Sequence, residues 1–243
     1  MRTTGLRAPR PALLTALLAV VVTVAALVVV VVLRPRPATD GGDGAAVPPL
    51  RGPVPATPTC GAGPCRQLAA MTVGTVPIAL LADAEGGAGR VRVGPEPGTV
   101  IELAIAELGV RLGENSLRCI EGVTSACLIR GEAKDAPGGA YGELLVDRGG
   151  RWTSAGKPYF ADAGTLSLYD VTADGVPDVI VVRHECPGMT PGTPQCQAAP
   201  VLAEAYELGG NSIGCTWKVT APSDLPGWPD VRLTRTDLHA CPS

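Results

Sequence analysis

Pro11 to Leu33 is a run of 23 uncharged residues built from Leu, Val and Ala and interrupted only by Thr15 and Thr23. At about 1.5 Å per residue a helix of that length reaches roughly 34 Å, enough for a hydrocarbon core of about 30 Å. Beyond it the apolar positions change period. Val76 to Leu81 is a short apolar run, and Arg90-Val-Arg-Val93 alternates. Thr99 to Leu112 alternates twice, with a one-residue slip in the middle. That slip reads as a bulged strand or as a helix broken by Gly109, and the strand is favoured. Cys127 to Arg130 is a further strand. Glu143 to Trp152 and Val201 to Val219 read as hairpins, turning at Arg148-Gly-Gly150 and Gly209-Gly-Asn211. Between them lie Leu166 to Asp170, a polar loop, and Val179 to Val182. This last run has no polar alternation, as befits a strand buried on both faces. Gln197 to Tyr206 has room for one short helix. Regular short strands between turns predict a mainly β domain, either an all-β sandwich or a propeller-like packing of meanders. No internal repeat is visible across it.

Charge orients the apolar run. Arg2, Arg7 and Arg10 precede it without an acid, while Arg34 and Arg36 follow with Asp40 and Asp43 close behind. The bias in Lys and Arg places the N-terminus inside. The expected organisation is a cytoplasmic tail (1–10), a transmembrane signal anchor (11–33), a tether (34–59) and an extracytoplasmic domain (60–243). The alternative is a secreted protein with a cleaved signal peptide. Such peptides have a shorter apolar core and a small-residue cleavage site, whereas here Arg-Pro-Arg-Pro follows the run directly. Residues 34–59 are rich in Pro, Gly and Ala and lack any aromatic, so they bury too little surface to offset ordering and act as a semi-extended spacer.

Net charge is −3 for the whole chain and −6 once the three N-terminal arginines are set aside. A mildly acidic exterior argues against a nucleic-acid partner, which needs a basic face. All eight cysteines fall in the 184 residues from Cys60 to Ser243. An oxidising exterior makes disulfides the default. Connectivity is not fixed by sequence alone, but proximity suggests Cys60–Cys65, Cys119–Cys127, Cys186–Cys196 and Cys215–Cys241. A zinc site using Cys186 beside His184 and Glu185 is the rival, weakened by the lack of any C-x-x-C pair.

One loop carries cation chemistry. In Asp170-Val-Thr172-Ala-Asp174-Gly175-Val176-Pro-Asp178 side-chain oxygens fall at alternate positions, with Gly175 free to reverse the chain and the Val176 carbonyl as a further ligand. Calcium takes about six to eight oxygen ligands, and such a loop can converge several of them. It is not an EF-hand, because Val181 stands where that motif needs Glu. The same residues also suit a metal-free Asp–Gly turn held by side-chain-to-backbone bonds.

Here the chain resembles the FG-GAP/VCBS repeats. Tyr169-Asp170, Asp174-Gly175, Pro177-Asp178 and the apolar strand Val179 to Val182 match their Asp-rich loop and following strand. The resemblance implies a β-hairpin or blade with a calcium loop, in extracellular proteins that bind partners or glycans. It covers Asp170 to Val182 in one copy, and Thr172 replaces the usual Asp or Asn. The single motif followed by a Cys, with the Ala/Val/Gly/Pro/Arg-heavy composition, is also similar to membrane-anchored envelope proteins of actinobacterial type.

Catalytic candidates are thin. Gly210-Asn-Ser212-Ile-Gly214 matches a nucleophile elbow, with Asp237 and His239 following in hydrolase order, but strand-like Cys215 to Val219 stands where a helix is needed. His184-Glu185 is a further acid–base candidate. The leading expectation is a non-catalytic binding or structural module facing a protein or glycan ligand at the cell envelope. The alternative is an extracytoplasmic hydrolase using Ser212 or His184.

Overall fold

In the computed structural model, which describes residues 58–241, three antiparallel sheets follow one another along the chain. The predicted membrane span and most of the tether lie outside the described residues. Among the described residues no helix is long and apolar enough to cross a membrane. The described residues open with a small hairpin of β1 (Thr59–Cys60) and β2 (Gly63–Pro64), so Thr59, assigned to the tether, already belongs to the domain.

The first sheet runs β3 (Arg66–Val73), β4 (Val76–Ala82), β5 (Arg90–Val93) and β6 (Thr99–Glu102), each strand beside the next. A one-turn helix, α1 (Ala104–Glu107), leads out of it. The second sheet holds β7 (Leu117–Ile120), β8 (Ala126–Glu132), β9 (Ala140–Asp147) and β10 (Trp152–Ser154), again in chain order, with β11 (Tyr159–Ala161) also pairing with β9. The third holds β12 (Leu166–Tyr169), β13 (Asp178–His184), β14 (Val201–Tyr206) and β15 (Ser212–Cys215), with the one-turn helix α2 (Pro194–Gln197) before β14. Each sheet is an up-and-down meander. The first strands β3, β7 and β12 stand in sequence, β7 touching both of the others.

Side-chain alternation then builds the layers, because successive residues of a strand face opposite ways. From β4, Ile78 and Leu80 join Cys127, Ile129 and Leu145 in a core between the first and second sheets. The other face of β4, Ala79 and Leu81, packs on the Cys60–Cys65 hairpin. In β8 and β9, Leu128, Leu144 and Val146 point the opposite way and meet Leu166, Val179 and Val181 of the third sheet. Ile180 and Val182 of β13 face outward onto Leu225, Val231 and Leu233 of the C-terminal segment. Both faces of the central strands are therefore covered, which is why Val179 to Val182 carries no polar alternation. Three stacked meanders with separate cores on either face of the middle one are not a two-sheet sandwich.

Two local expectations change. Thr99 to Leu112 is a strand only as far as Glu102. The phase slip is the helical turn α1, whose Ile105 is buried, and the chain then reverses at Gly109 with φ +70°. The helix sought between Gln197 and Tyr206 lies earlier, at Pro194–Gln197, started by the Thr193 side chain accepting from the Cys196 amide, while Val201–Tyr206 is strand. The four disulfides join the cysteine pairs that proximity suggested, and no cysteine is free.

Candidate functional site

The aspartate loop is the turn between β12 and β13. Five backbone amides donate to its three carboxylates. Asp170 Oδ1 accepts from Asp174 at 3.1 Å and Oδ2 from Gly175 at 2.9 Å. Asp174 Oδ1 accepts from Val176 at 2.8 Å. Asp178 Oδ2 accepts from Val171 at 2.9 Å and Thr172 at 3.3 Å. The loop thus turns by side-chain-to-backbone bonds, with Ala173 and Gly175 in the left-handed region at φ +57° and +81°.

Asp178 is buried. Loss of hydration raises its pKa above the ordinary carboxylate value, the amides of Val171 and Thr172 oppose that rise, and the charges of Asp174 and Asp170 add to it. Thr172, at the third position of the motif, keeps a buried Oγ1 with no hydrogen-bond partner. Thr172 and the backbone of Val176 both belong to this loop, so four of the five predicted positions sit on one turn and the fifth, Asp178, opens β13. The three carboxylates do not form, among the described residues, a group whose ligand atoms all lie close enough to share an ion.

That turn is part of a longer rim. The first hairpin turns of the three sheets, residues 74–75, 121–125 and 170–177, are joined in series. The Gly74 amide donates to Glu121 Oε2 at 3.1 Å, and the Val123 amide donates to the Gly175 carbonyl at 2.8 Å. Val123 stands at the crest, 82% exposed.

The Cys215–His239 bridge brings the segment carrying Asp237 and His239 beside β15, but the catalytic candidates form no hydrogen-bonded triad. Ser212 opens β15 at the hairpin turn, and its Oγ lies 3.5 Å from Cys241 Sγ. Asp237 Oδ2 accepts from the amide and hydroxyl of Thr234, closing a local turn. The ring of His239 stacks on Trp217, centroids 3.9 Å apart. No hydrogen bond links Ser212, Asp237 and His239 among the described residues, and β15 continues as an extended chain where the elbow needs a helix.

His184 and Glu185 are neighbours at the end of a strand and so face apart. Glu185 pairs with Lys218. His184 Nδ1 lies 3.4 Å from Asp162 Oδ1, and the His184 amide donates to that same oxygen at 2.7 Å. Asp162 escaped the sequence reading, since nothing local marks a residue that meets its partner 22 positions later. The zinc rival loses its ligands. Asp162 sits beside Cys186 and Cys196, and Glu204 beside Cys215 and Cys241, but those sulfurs are bonded to each other, which leaves one carboxylate in each group.

A second grouping also escaped the sequence: Arg118, Arg130 and Arg232 line one groove between β7 and β12. Two lie on different strands and one in the irregular C-terminal segment, so only strand register and chain return reveal them. No protein-family model, no curated protein and no solved structure matches the chain.

Proposed function

We propose that this chain is a single-pass, membrane-anchored envelope protein whose extracytoplasmic, propeller-like β domain is a non-catalytic binding module. The observation that carries the reading is the closure of all eight cysteines into four local disulfides downstream of an apolar run long enough to span a bilayer. Disulfides persist in oxidising compartments, and a positive N-terminal tail keeps the short end inside. The lack of a hydrogen-bonded triad among Ser212, Asp237 and His239 favours binding over hydrolysis. The linked turns at 74–75, 121–125 and 170–177 supply a rim held by the aspartate loop, in keeping with the FG-GAP/VCBS-like motif.

External protease applied to intact cells tests the placement. The domain should be shaved off while a membrane-bound N-terminal fragment remains. A protected domain, or a chain found wholly in the soluble fraction, contradicts it.

The buried, unpartnered Thr172 Oγ1 favours a second reading, in which calcium completes the rim. Asp170, Thr172, Asp174, the Val176 carbonyl and Asp178 would hold it, and the donor set is all oxygen, as a hard cation requires. The ion would neutralise carboxylates that raise the pKa of Asp178. Calcium then raises the melting temperature of the full chain and Asp174→Ala abolishes the rise. No calcium response in the wild type removes this reading and leaves the metal-free turn.

A further inference from the structure

Where β7 passes beside β12, the two strands and the C-terminal segment enclose a groove of about 270 Å³. Three arginines line it: Arg118 from β7, Arg130 from β8 and Arg232 from the C-terminal segment. Asp230 is the one acid on its wall. This is unusual for its surroundings, because residues 58–241 hold 14 Lys and Arg against 21 Asp and Glu, a net of −7. None of the three arginines forms an ion pair among the described residues.

Strand register explains the convergence. Arg118 lies opposite Leu128 across the β7–β8 ladder, and Arg130 follows Leu128 on the same face, so both arginines point toward the third sheet. Arg130 lies opposite Gly142 of β9, which has no side chain to fill the space. One Arg130 nitrogen donates to the Leu166 carbonyl of β12, which fixes the guanidinium at the bottom of the groove. Burial lowers the Arg130 pKa, the charge of Asp230 opposes this, and the like charge of Arg118 lowers it further. The guanidinium stays protonated regardless. Arg130 is thus a partly buried cation whose lost hydration Asp230 offsets only in part, a deficit that an anion would relieve.

Arg130 also lines an adjoining cavity of about 550 Å³ whose wall includes Trp228. That indole is 40% exposed. A guanidinium offers a rigid fork of donors matched to phosphate or carboxylate, and an exposed indole offers a flat apolar face. We propose that Arg118, Arg130 and Arg232 bind the oxyanion of an acidic saccharide whose ring lies against Trp228. This gives the binding module above a ligand class and rests on that reading. The head group is a sugar phosphate or a uronate, which share the oxyanion chemistry.

Calorimetric titration of the purified full chain in detergent, at fixed ionic strength, tests the assignment. The probes are inorganic phosphate, glucuronate and glucose. Saturable one-to-one uptake of phosphate or glucuronate is expected, with glucose at least ten-fold weaker. Arg118→Gln and Arg232→Gln change exposed side chains and should each weaken the anion at least ten-fold. Trp228→Ala should weaken glucuronate and leave phosphate unchanged. Whichever anion binds more tightly identifies the head group. No saturable uptake of either anion, equal uptake of glucose, or unchanged affinity in both arginine variants overturns the site. Unchanged glucuronate binding in Trp228→Ala overturns the placement of the ring. A domain that fails here yet is shaved from intact cells loses the ligand assignment alone. A domain that binds but is protected from external protease keeps the site and loses the envelope placement.

Discussion

The Val123 amide donates to the Gly175 carbonyl at 2.8 Å, and this bond ties the first turn of the second sheet to the aspartate loop of the third. The contact leaves no space between the two turns. A Cβ placed on Gly122 would lie 2.4 Å from the Gly175 oxygen.

Gly122→Ala therefore forces two backbones apart. It should destabilise the domain by about 1–3 kcal/mol, the usual range for overpacking. Gly113 serves as the control, because a Cβ there meets nothing within 4 Å. Gly113→Ala should stay within about 0.5 kcal/mol of wild type. Denaturant titration of the full chain measures both, and equal effects would contradict the rim contact.

Asp178 holds the base of the same loop. Asp178→Ala leaves the Val171 and Thr172 amides without their acceptor. Unsatisfied buried donors cost about 1–3 kcal/mol each, less where water can reach them. Asp178→Asn keeps an acceptor oxygen and removes a buried charge, so its loss should be smaller. Stability curves for the two variants check this, and equal losses would mean that the carboxylate oxygen does not hold the turn.

Tyr206 should make the folded domain lose stability at alkaline pH. Burial raises its hydroxyl pKa, and the hydrogen bond and charge of Glu204 raise it further, well above the ordinary value of about 10. Above that value the folded state holds a proton that the unfolded chain releases, so stability falls as pH rises. The contribution is intact below the unfolded value and is lost on the way to the folded one. Tyr206→Phe should flatten the decline in melting temperature between about pH 10 and 12. A decline as steep as wild type would place the alkaline loss elsewhere.

The disulfides should differ in worth with the loop each closes. Cys215–Cys241 spans 26 residues and Cys60–Cys65 spans 5. Chain-entropy reasoning puts them at roughly 3.5 and 2 kcal/mol. Replacing each pair with serine and comparing unfolding midpoints tests the order. A larger loss from the short pair would show that packing of Cys60 against Ala79 and Leu81 outweighs loop closure.

Much of this architecture was legible where the hydrophobic pattern admits one solution. Val179 to Val182 reads as a central strand because both faces are apolar, and β13 does lie between β12 and β14. The hairpin at Arg148-Gly-Gly150 reads from its glycines, which take φ +66° and +85°. The helical turn α1 was missed because four residues are too few to establish a 3.6-residue period against strand alternation. The repetition of three meanders left no sequence trace, since their first turns differ in length and each sheet faces a different neighbour. The aspartate loop is local in sequence and so could be read in advance. The arginine groove is assembled by register and chain return, and no local pattern announces it.

The most direct test of the account is a thiol count on intact cells expressing the full chain. A membrane-impermeant maleimide is applied before and after an impermeant reductant, and labels are counted by mass. The expected result is no label before reduction and up to eight labels after it, the half-buried Cys65, Cys119, Cys186 and Cys241 reacting ahead of their buried partners, on a protein that sediments with membranes. Label before reduction, or no label after it, would contradict an extracytoplasmic, disulfide-closed domain.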